Sequence, residues 1–374
     1  MSPNNALTWA DPQRHSQFES WLASIGPAHD LNPETLELAS SDASFRRYLR
    51  IRNNSGDTRI IMDAPPDKEN CEAFVKIAGL LAGAAIPAPG VQEWQREQGF
   101  MLLTDLGKDT LMQHLAKQGL RVGQFVEEAA SALALPWYRQ ANDLLVKWQL
   151  ASQSGVLPDY DDALLGREMD LFPQWYLAQH KGLDLAAPAH AAKRQVLAEM
   201  FGLIKQQVLR APKVFVHRDF MPRNLMVSGG GQSLGVLDFQ DAVYGPITYD
   251  VASLMRDAFL SWDEEMVIDV TVRYWTAARK AGLIENGPWG DWGDDFGAFY
   301  ANVEWMGLQR HLKVAGIFAR LTLRDGKPQY LADAPRFIQY IRHTCNRYGP
   351  LKPLLRLIDE VENIEAVSGF QYGR

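Results

Sequence analysis

Apolar positions along this chain repeat at two different spacings, and the change falls near residue 105. Before it, short stretches alternate at period two: Tyr48, Leu49, Arg50, Ile51 and Arg52 mix apolar and charged side chains in a way that predicts a strand over 45–52. Similar runs predict strands beginning at 35–39 and over 58–64, 91–94 and 100–104, the last two turned at Glu97, Gln98 and Gly99. Two helices interrupt them. Phe18, Trp21 and Leu22 mark one face over 13–26, and Phe74, Ile77, Ala78 and Leu81 follow the i, i+3, i+4, i+7 pattern within 67–85. Beyond residue 105 the helical period dominates. It predicts helices at 108–118, 123–152 with a break near Pro136, 165–181, 189–209, 248–260, 263–281, 294–319 and 333–347. Faces such as Val196, Met200, Leu203, Ile204 and Val208 read as core, and Trp137, Trp148, Trp175, Trp275 and Trp305 as packing residues. The fold class expected is α+β. A small antiparallel-sheet N-terminal lobe with one main helix spans 1–104, a larger, mostly helical C-terminal lobe spans 105–374, and the hinge lies at 102–106.

One stretch inside the helical half breaks this period. An apolar strand at 214–216 delivers His217, Arg218 and Asp219 to a loop; Asn224 follows; 225–227 forms a second strand, the glycines at 229–231 turn it, and 235–237 returns to end at Asp238. Hairpin closure gathers oxygen-bearing side chains at one edge. Phosphoryl transfer needs such a set: a carboxylate to take or orient the proton of the attacking hydroxyl, and oxygen ligands to hold magnesium across the phosphates. Asp219 suits the first task, Asn224 and Asp238 the second. The order Asp, four residues, Asn, then Asp after a hairpin is that of the protein-kinase signature. Read separately, His217 and Asp219 are a turn pair and Asp238 a strand-end cap, but that reading leaves their joint spacing unexplained.

Bulk properties narrow the class further. With 374 residues, 47% apolar and 10% aromatic, the chain can bury the core of a sizeable globular enzyme. The net charge of −7, without a dense Lys/Arg run, argues against nucleic-acid and membrane-surface binding. A nucleotide must then be held by local donors. Cys71 and Cys345 are too few and too far apart for a disulfide framework or a Cys-based zinc site, and read as structural thiols in a reducing compartment. The run 77–91 is too short to span a bilayer. The first thirty residues carry Asp11, Arg14, His15 and Glu19 rather than an apolar signal core. The expectation is a cytoplasmic protein with no targeting segment, no internal repeat and no obligate protein partner.

Several longer motifs then carry a resemblance: Ser-Asp-Ala-Ser-Phe-Arg-Arg-Tyr at 41–48, Met-Asp-Ala-Pro-Pro at 62–66, Leu-Leu-Thr-Asp-Leu-Gly at 102–107, His-Arg-Asp-Phe-Met-Pro-Arg-Asn-Leu-Met at 217–226, Leu-Asp-Phe-Gln-Asp-Ala at 237–242 and Trp-Met-Gly-Leu-Gln-Arg-His-Leu-Lys at 305–313. The chain resembles the aminoglycoside phosphotransferase and choline kinase superfamily, small-molecule kinases with a bilobal protein-kinase-like fold, from about residue 15 to about residue 350. Within it, the motif set is similar to that of the kinases of bacterial cell-wall sugar recycling. The resemblance implies ATP- and Mg2+-dependent transfer to the anomeric C1 hydroxyl of the amino sugars N-acetylmuramate and N-acetylglucosamine, giving the sugar 1-phosphate. A hemiacetal hydroxyl is more acidic than an ordinary alcohol, so a carboxylate such as Asp219 can assist its deprotonation.

Matching positions imply Asp219 as catalytic base and Asn224 with Asp238 as magnesium ligands, with His217 bracing the loop. The loop Ser41, Asp42, Ala43 and Ser44 is expected over the triphosphate, where small residues admit backbone amides to phosphate oxygens, and backbone near Leu103 and Thr104 is expected to read adenine. One departure stands out. The strand that normally offers a lysine reads Arg59-Ile60-Ile61-Met62-Asp63, so phosphate charge falls to Arg46, Arg47 or Arg50, with Glu72 orienting one of them. For the sugar, Glu168 with Trp175, and Glu304 with Gln309, Arg310 and Lys313 are candidates, a basic group pairing with the lactyl carboxylate; Arg223 is another, open like Arg218 to touching phosphate or solvating the loop instead, and Asp241 is open between facing the sugar and pairing with one of those arginines. Asp250 is expected to accept backbone hydrogens from the catalytic loop. Two alternatives stay open: a kinase for a cationic substrate such as an aminoglycoside or choline, served by Asp359, Glu360, Glu362 and Glu365, and a nucleotide-binding pseudokinase, which the missing lysine favours.

Overall fold

The computed structural model describes residues 9, 11–41, 45–120, 128–228 and 230–365. They divide into two compact units: Met1–His114 with Pro222–Asp241, and Leu115–Met221 with Ala242–Arg374. The first unit thus takes in a segment from the middle of the chain, where the sequence reading drew one boundary after residue 104.

In the first unit, α1 (Pro12–Ile25) starts where Asp11 caps the Gln13 amide and Pro12 needs no hydrogen-bond partner for its nitrogen. Its apolar face, Phe18, Trp21 and Leu22, is buried with Leu31, Leu49, Ile51, Ile61, Phe100 and Leu102. Those residues come from a five-stranded antiparallel sheet of β1 (Leu31–Ser41), β2 (Arg47–Asn53), β3 (Thr58–Asp63), β4 (Val91–Gln95) and β5 (Phe100–Thr104), in the order β1-β2-β3-β5-β4. Between β3 and β4 lies α2 (Cys71–Gly83), capped by Asn70 and burying the predicted Phe74, Ile77, Ala78 and Leu81. It is shorter than the predicted 67–85. The β4–β5 turn depends on Gly99, at φ 70°: a Cβ there would meet the Ala64 carbonyl oxygen at 1.9 Å. After β5 comes the short α3 (Leu111–Lys117).

The second unit is mainly helical. α4 (Glu128–Leu150) continues through Pro136 instead of breaking there, because Ala134, Tyr138, Ala141 and Leu145 on both sides of it are buried; the predicted start at 123 lies outside the described residues. The single helix predicted over 165–181 is two elements, α5 (Asp162–Met169), capped by Asp161, and a π-helix (Phe172–His180) with Pro173 in its first turn. α6 (Ala191–Leu209) leads into β6 (Lys213–Val216). The chain then crosses to the first unit for β7 (Leu225–Ser228) and β8 (Ser233–Val236); Gly229, in the predicted turn, lies outside the described residues. On returning it forms a strand the sequence reading missed, β9 (Val243–Pro246), antiparallel to β6. Then follow α7 (Thr248–Met255), shorter than predicted, α8 (Glu264–Lys280), α9 (Phe296–Leu323), α10 (Ala334–Arg347) and α11 (Lys352–Glu362). Asp263 and Asp295 cap α8 and α9. The 28-residue α9 is buried along most of its length and passes close to the π-helix at Gly316, where a Cβ would stand 2.3 Å from the Leu171 carbonyl carbon. Among the described residues no helix is long and apolar enough to cross a membrane, and Cys71 and Cys345 are both buried, free thiols.

Candidate active site

The loop after β6 is fixed by groups of the second unit. Val214, Phe215 and Val216 are buried and paired with β9, so the chain leaves the strand at a set point. Asp250, in the first turn of α7 and fully buried, accepts from the His217 amide at 2.7 Å and the Arg218 amide at 3.0 Å, as expected. His217 Nδ1 accepts from the Asp219 amide at 3.3 Å, so it braces the loop. Arg218 has φ 77°, a left-handed conformation that costs a non-glycine residue about 1–2 kcal/mol and persists only where neighbours impose it. Three neighbours do so. Besides the bond to Asp250, its carbonyl accepts from Arg310 Nη1 at 2.6 Å and its Nη2 donates to Glu168 Oε1 at 2.6 Å.

Glu168, on α5, is the centre of this arrangement. Its carboxylate also accepts from Lys313 Nζ at 2.9 Å, Gln309 Nε2 at 3.1 Å and the Tyr160 hydroxyl at 2.7 Å, and Lys313 reaches the Tyr249 hydroxyl at 3.2 Å. Burial opposes its charge, but Lys313 and Arg218 outweigh burial and hold its pKa down to about 2. Asp219, half-buried at the loop's end, follows the same logic: burial disfavours the carboxylate, yet Lys313, Arg310 and Arg218 hold its pKa below the ordinary aspartate value. It is ionised at neutral pH.

The remaining polar residues of the signature belong to the first unit. A 3-10 turn (Pro222–Asn224) presents Asn224, whose carbonyl accepts from the Leu237 amide at 2.8 Å; this bond holds Asp238, the next residue, beside it. Asn224 Nδ2 lies 3.3 Å from Asp238 Oδ2, and Gln240 Nε2 donates to Asp238 Oδ1 at 2.8 Å. Asp238, like Arg218, is a non-glycine residue at positive φ, here 60°. The hairpin is tied to the sheet domain by bonds from Val227 to the Asp109 carbonyl and from Val236 to the Pro87 carbonyl. Between hairpin and sheet is a cleft of about 360 Å³, lined by Tyr48, Ile60, Leu103, Thr104, Asn224 and Asp238 among others. An amide oxygen and a carboxylate on one rim supply the hard oxygen donors that suit Mg2+.

Leu103 and Thr104 line this cleft, although Thr104 already uses its amide and hydroxyl on Gly90. Ser41 ends β1, and Asp42, Ala43 and Ser44 lie outside the described residues. The arginines are partnered differently from expectation. Glu72 pairs with Arg96 on the surface; it is Glu69, ahead of α2, that takes Arg46 at 2.8 Å. Arg47 joins Arg14 on Asp63, and Arg50, though it lines the cleft, makes two bonds to Asp105 and one to the Gly107 carbonyl, fixing the turn after β5. Glu69 and Glu72 stand three residues apart in the run read as helix, so the local pattern does not choose between them.

Of the residues predicted to meet a sugar, Glu168, Gln309 and Arg310 come together around Arg218, joined by Lys313 and by Tyr160 and Tyr249, which no local pattern singled out. Arg223 lines the cleft and Asp241 is exposed, both in the first unit. Glu304 is turned elsewhere: it pairs with Arg347 at 2.9 Å and accepts from Tyr348, and Arg256 and Arg347 also hold Glu264. That guanidinium pair already supplies the counter-charge of the Glu264, Glu304 and His343 group. Trp175 is half-buried on the π-helix.

The profile described as the phosphotransferase enzyme family matches residues 35–283. The chain is 42% identical over 362 residues to the N-acetylmuramate/N-acetylglucosamine kinase of Neisseria meningitidis serogroup B, covering 96% of this chain and 100% of that protein. It is 43% identical over 357 residues to the kinase of the same name from Pseudomonas aeruginosa, covering 93% and 97%. In three dimensions it is similar to the ethanolamine kinase of Plasmodium vivax, with a TM-score of 0.58 at 11% identity, covering 91% of each chain, which shows the expected α+β kinase-like fold.

Proposed function

We propose, for a chain that belongs to the phosphotransferase enzyme family, that it transfers the terminal phosphoryl group of ATP to the anomeric C1 hydroxyl of N-acetylmuramate or N-acetylglucosamine, giving the sugar 1-phosphate in peptidoglycan recycling. The observation that carries this reading is 42–43% identity, along nearly the whole chain, to proteins named kinases of both sugars. The site chemistry supports it. Asp219 accepts the hydroxyl proton as the C1 oxygen bonds to phosphorus; the bond from that phosphorus to the bridging oxygen breaks, and ADP leaves with the electron pair. Asn224 and Asp238 are the residues that would hold Mg2+, which when bound neutralises charge on the phosphates. Leu103 and Thr104 are assigned to the adenine end of the cleft, residues 41–44 to the triphosphate, and Arg46, held by Glu69, to the charge that a strand lysine would otherwise supply. Arg223 and Asp241 remain the assigned sugar contacts of the first unit.

A cationic substrate is disfavoured by the state of the acidic helix α11. Asp359 is paired with Arg342 at 2.5 Å, Glu360 with Lys193 at 2.6 Å and Glu362 with Lys181 at 2.8 Å. Phosphorus NMR after incubation with ATP, Mg2+ and each acceptor tests the proposal: a sugar 1-phosphate resonance is expected with the two amino sugars and no product with kanamycin. Turnover of kanamycin alone, or a phosphate at another sugar oxygen, would overturn it.

A further inference from the structure

We propose that Glu168 and Arg310 are positioning residues, which set Asp219 by locking Arg218, and that neither contacts the sugar. This rests on the reading of Asp219 as the proton acceptor. Glu168 has no acceptor capacity left for a ligand. An ionised carboxylate offers about four lone-pair sites, and here Oε1 takes Arg218 and Lys313 while Oε2 takes Tyr160 and Gln309. Its residue is 5% exposed. Arg310, 4% exposed, lies over the Tyr249 ring at 4.9 Å and directs Nη1 to the Arg218 carbonyl.

That carbonyl belongs to the peptide that leads into Asp219. Pinning its oxygen from one side, while Asp250 pins the Arg218 amide from the other, fixes both peptide planes around a left-handed residue. The Asp219 side chain therefore leaves the backbone in one direction. Glu168 completes the lock by holding the Arg218 guanidinium, so the loop conformation is imposed from α5, α7 and α9 together. Gln309, Arg310 and Lys313 lie within little more than one turn of α9, which is how one helix serves both the carboxylate and the carbonyl.

The test is steady-state kinetics on Glu168→Gln, Arg310→Met, Arg310→Lys and the double variant Glu168→Gln/Arg310→Met, beside hydrogen exchange of the peptide covering 214–221. A lock predicts kcat lower by roughly 100-fold in Glu168→Gln and Arg310→Met, with KM for sugar and ATP within about twofold. The double variant should cost little more than either single one, because both act through Arg218. Partial recovery of kcat is expected in Arg310→Lys, together with faster exchange confined to the loop in the impaired variants. A tenfold rise in KM for the sugar with kcat intact would show that these residues bind the acceptor and overturn the proposal, as would unchanged loop exchange. Exchange needs no substrate: failure of the wild type to phosphorylate amino sugars would reject the proposed function while leaving the lock to stand or fall on exchange. Should Glu168→Gln fail to fold, Arg310→Lys and Arg310→Met supply both readouts.

Discussion

Asp219 is expected to act only as a charge and a proton acceptor, so Asp219→Asn should lower kcat by about 10²–10⁴-fold while ATP binding, measured by calorimetry, stays near the wild-type value. Unchanged turnover would remove it from the mechanism. Glu168 carries a separate, thermodynamic signature. Its folded pKa of about 2 lies below the ordinary 4.5, so its stabilisation is fully present above pH 4.5 and is lost as pH falls towards 2. The shift corresponds to about 3 kcal/mol as an order of magnitude. Urea unfolding at successive pH values should show that acid slope in the wild type and a flatter one in Glu168→Gln. That variant should also be less stable at neutral pH, since Lys313 and Arg218 lose their shared counter-ion. At this scale the sequence was readable where partners are close along the chain. Asn224 and Asp238 are fourteen residues apart and joined by a hairpin, whereas Glu168 meets Arg218 across fifty residues and Lys313 across one hundred and forty-five. No local pattern encodes the second kind of pairing.

Elements followed the periodicity wherever an apolar face packs on its neighbours. α1 and α8 lie close to their predicted spans, and Asp11 and Asp263 cap them. The two failures have different causes. β9 is a four-residue strand whose pairing is with β6, some thirty residues earlier, and its Gly245 lies where a Cβ would meet the Tyr160 Cβ at 2.6 Å, so its sequence reads as turn. The π-helix has the apolar content of a continuing α-helix, and nothing in 165–181 announces the change of hydrogen-bond pattern. The contact between α9 and Leu171 yields a prediction for Gly316. Gly316→Ala places a methyl against backbone atoms at 2.3 and 2.4 Å and should lower stability by about 1–3 kcal/mol, seen as a melting temperature several degrees lower. Because Arg310 and Lys313 lie on the same helix within two turns, kcat should fall as well.

At the scale of the molecule, the units do not follow the order of the chain. Asp219 belongs to the second unit, Asn224 and Asp238 to the first. The first unit borrows Pro222–Asp241 from the middle of the sequence, and Val227 and Val236 reach the Asp109 and Pro87 carbonyls only through that loan. Ribosomal synthesis runs from the N-terminus, so a nascent chain that has emerged as far as Met221 holds a sheet domain still lacking its hairpin, with the acceptors of residues 87 and 109 open to water. Chaperone crosslinks formed by probes placed in the first unit are expected to persist at stall points before residue 222 has left the exit tunnel and to decline once residue 241 has cleared it, while those from residues 115–221 continue.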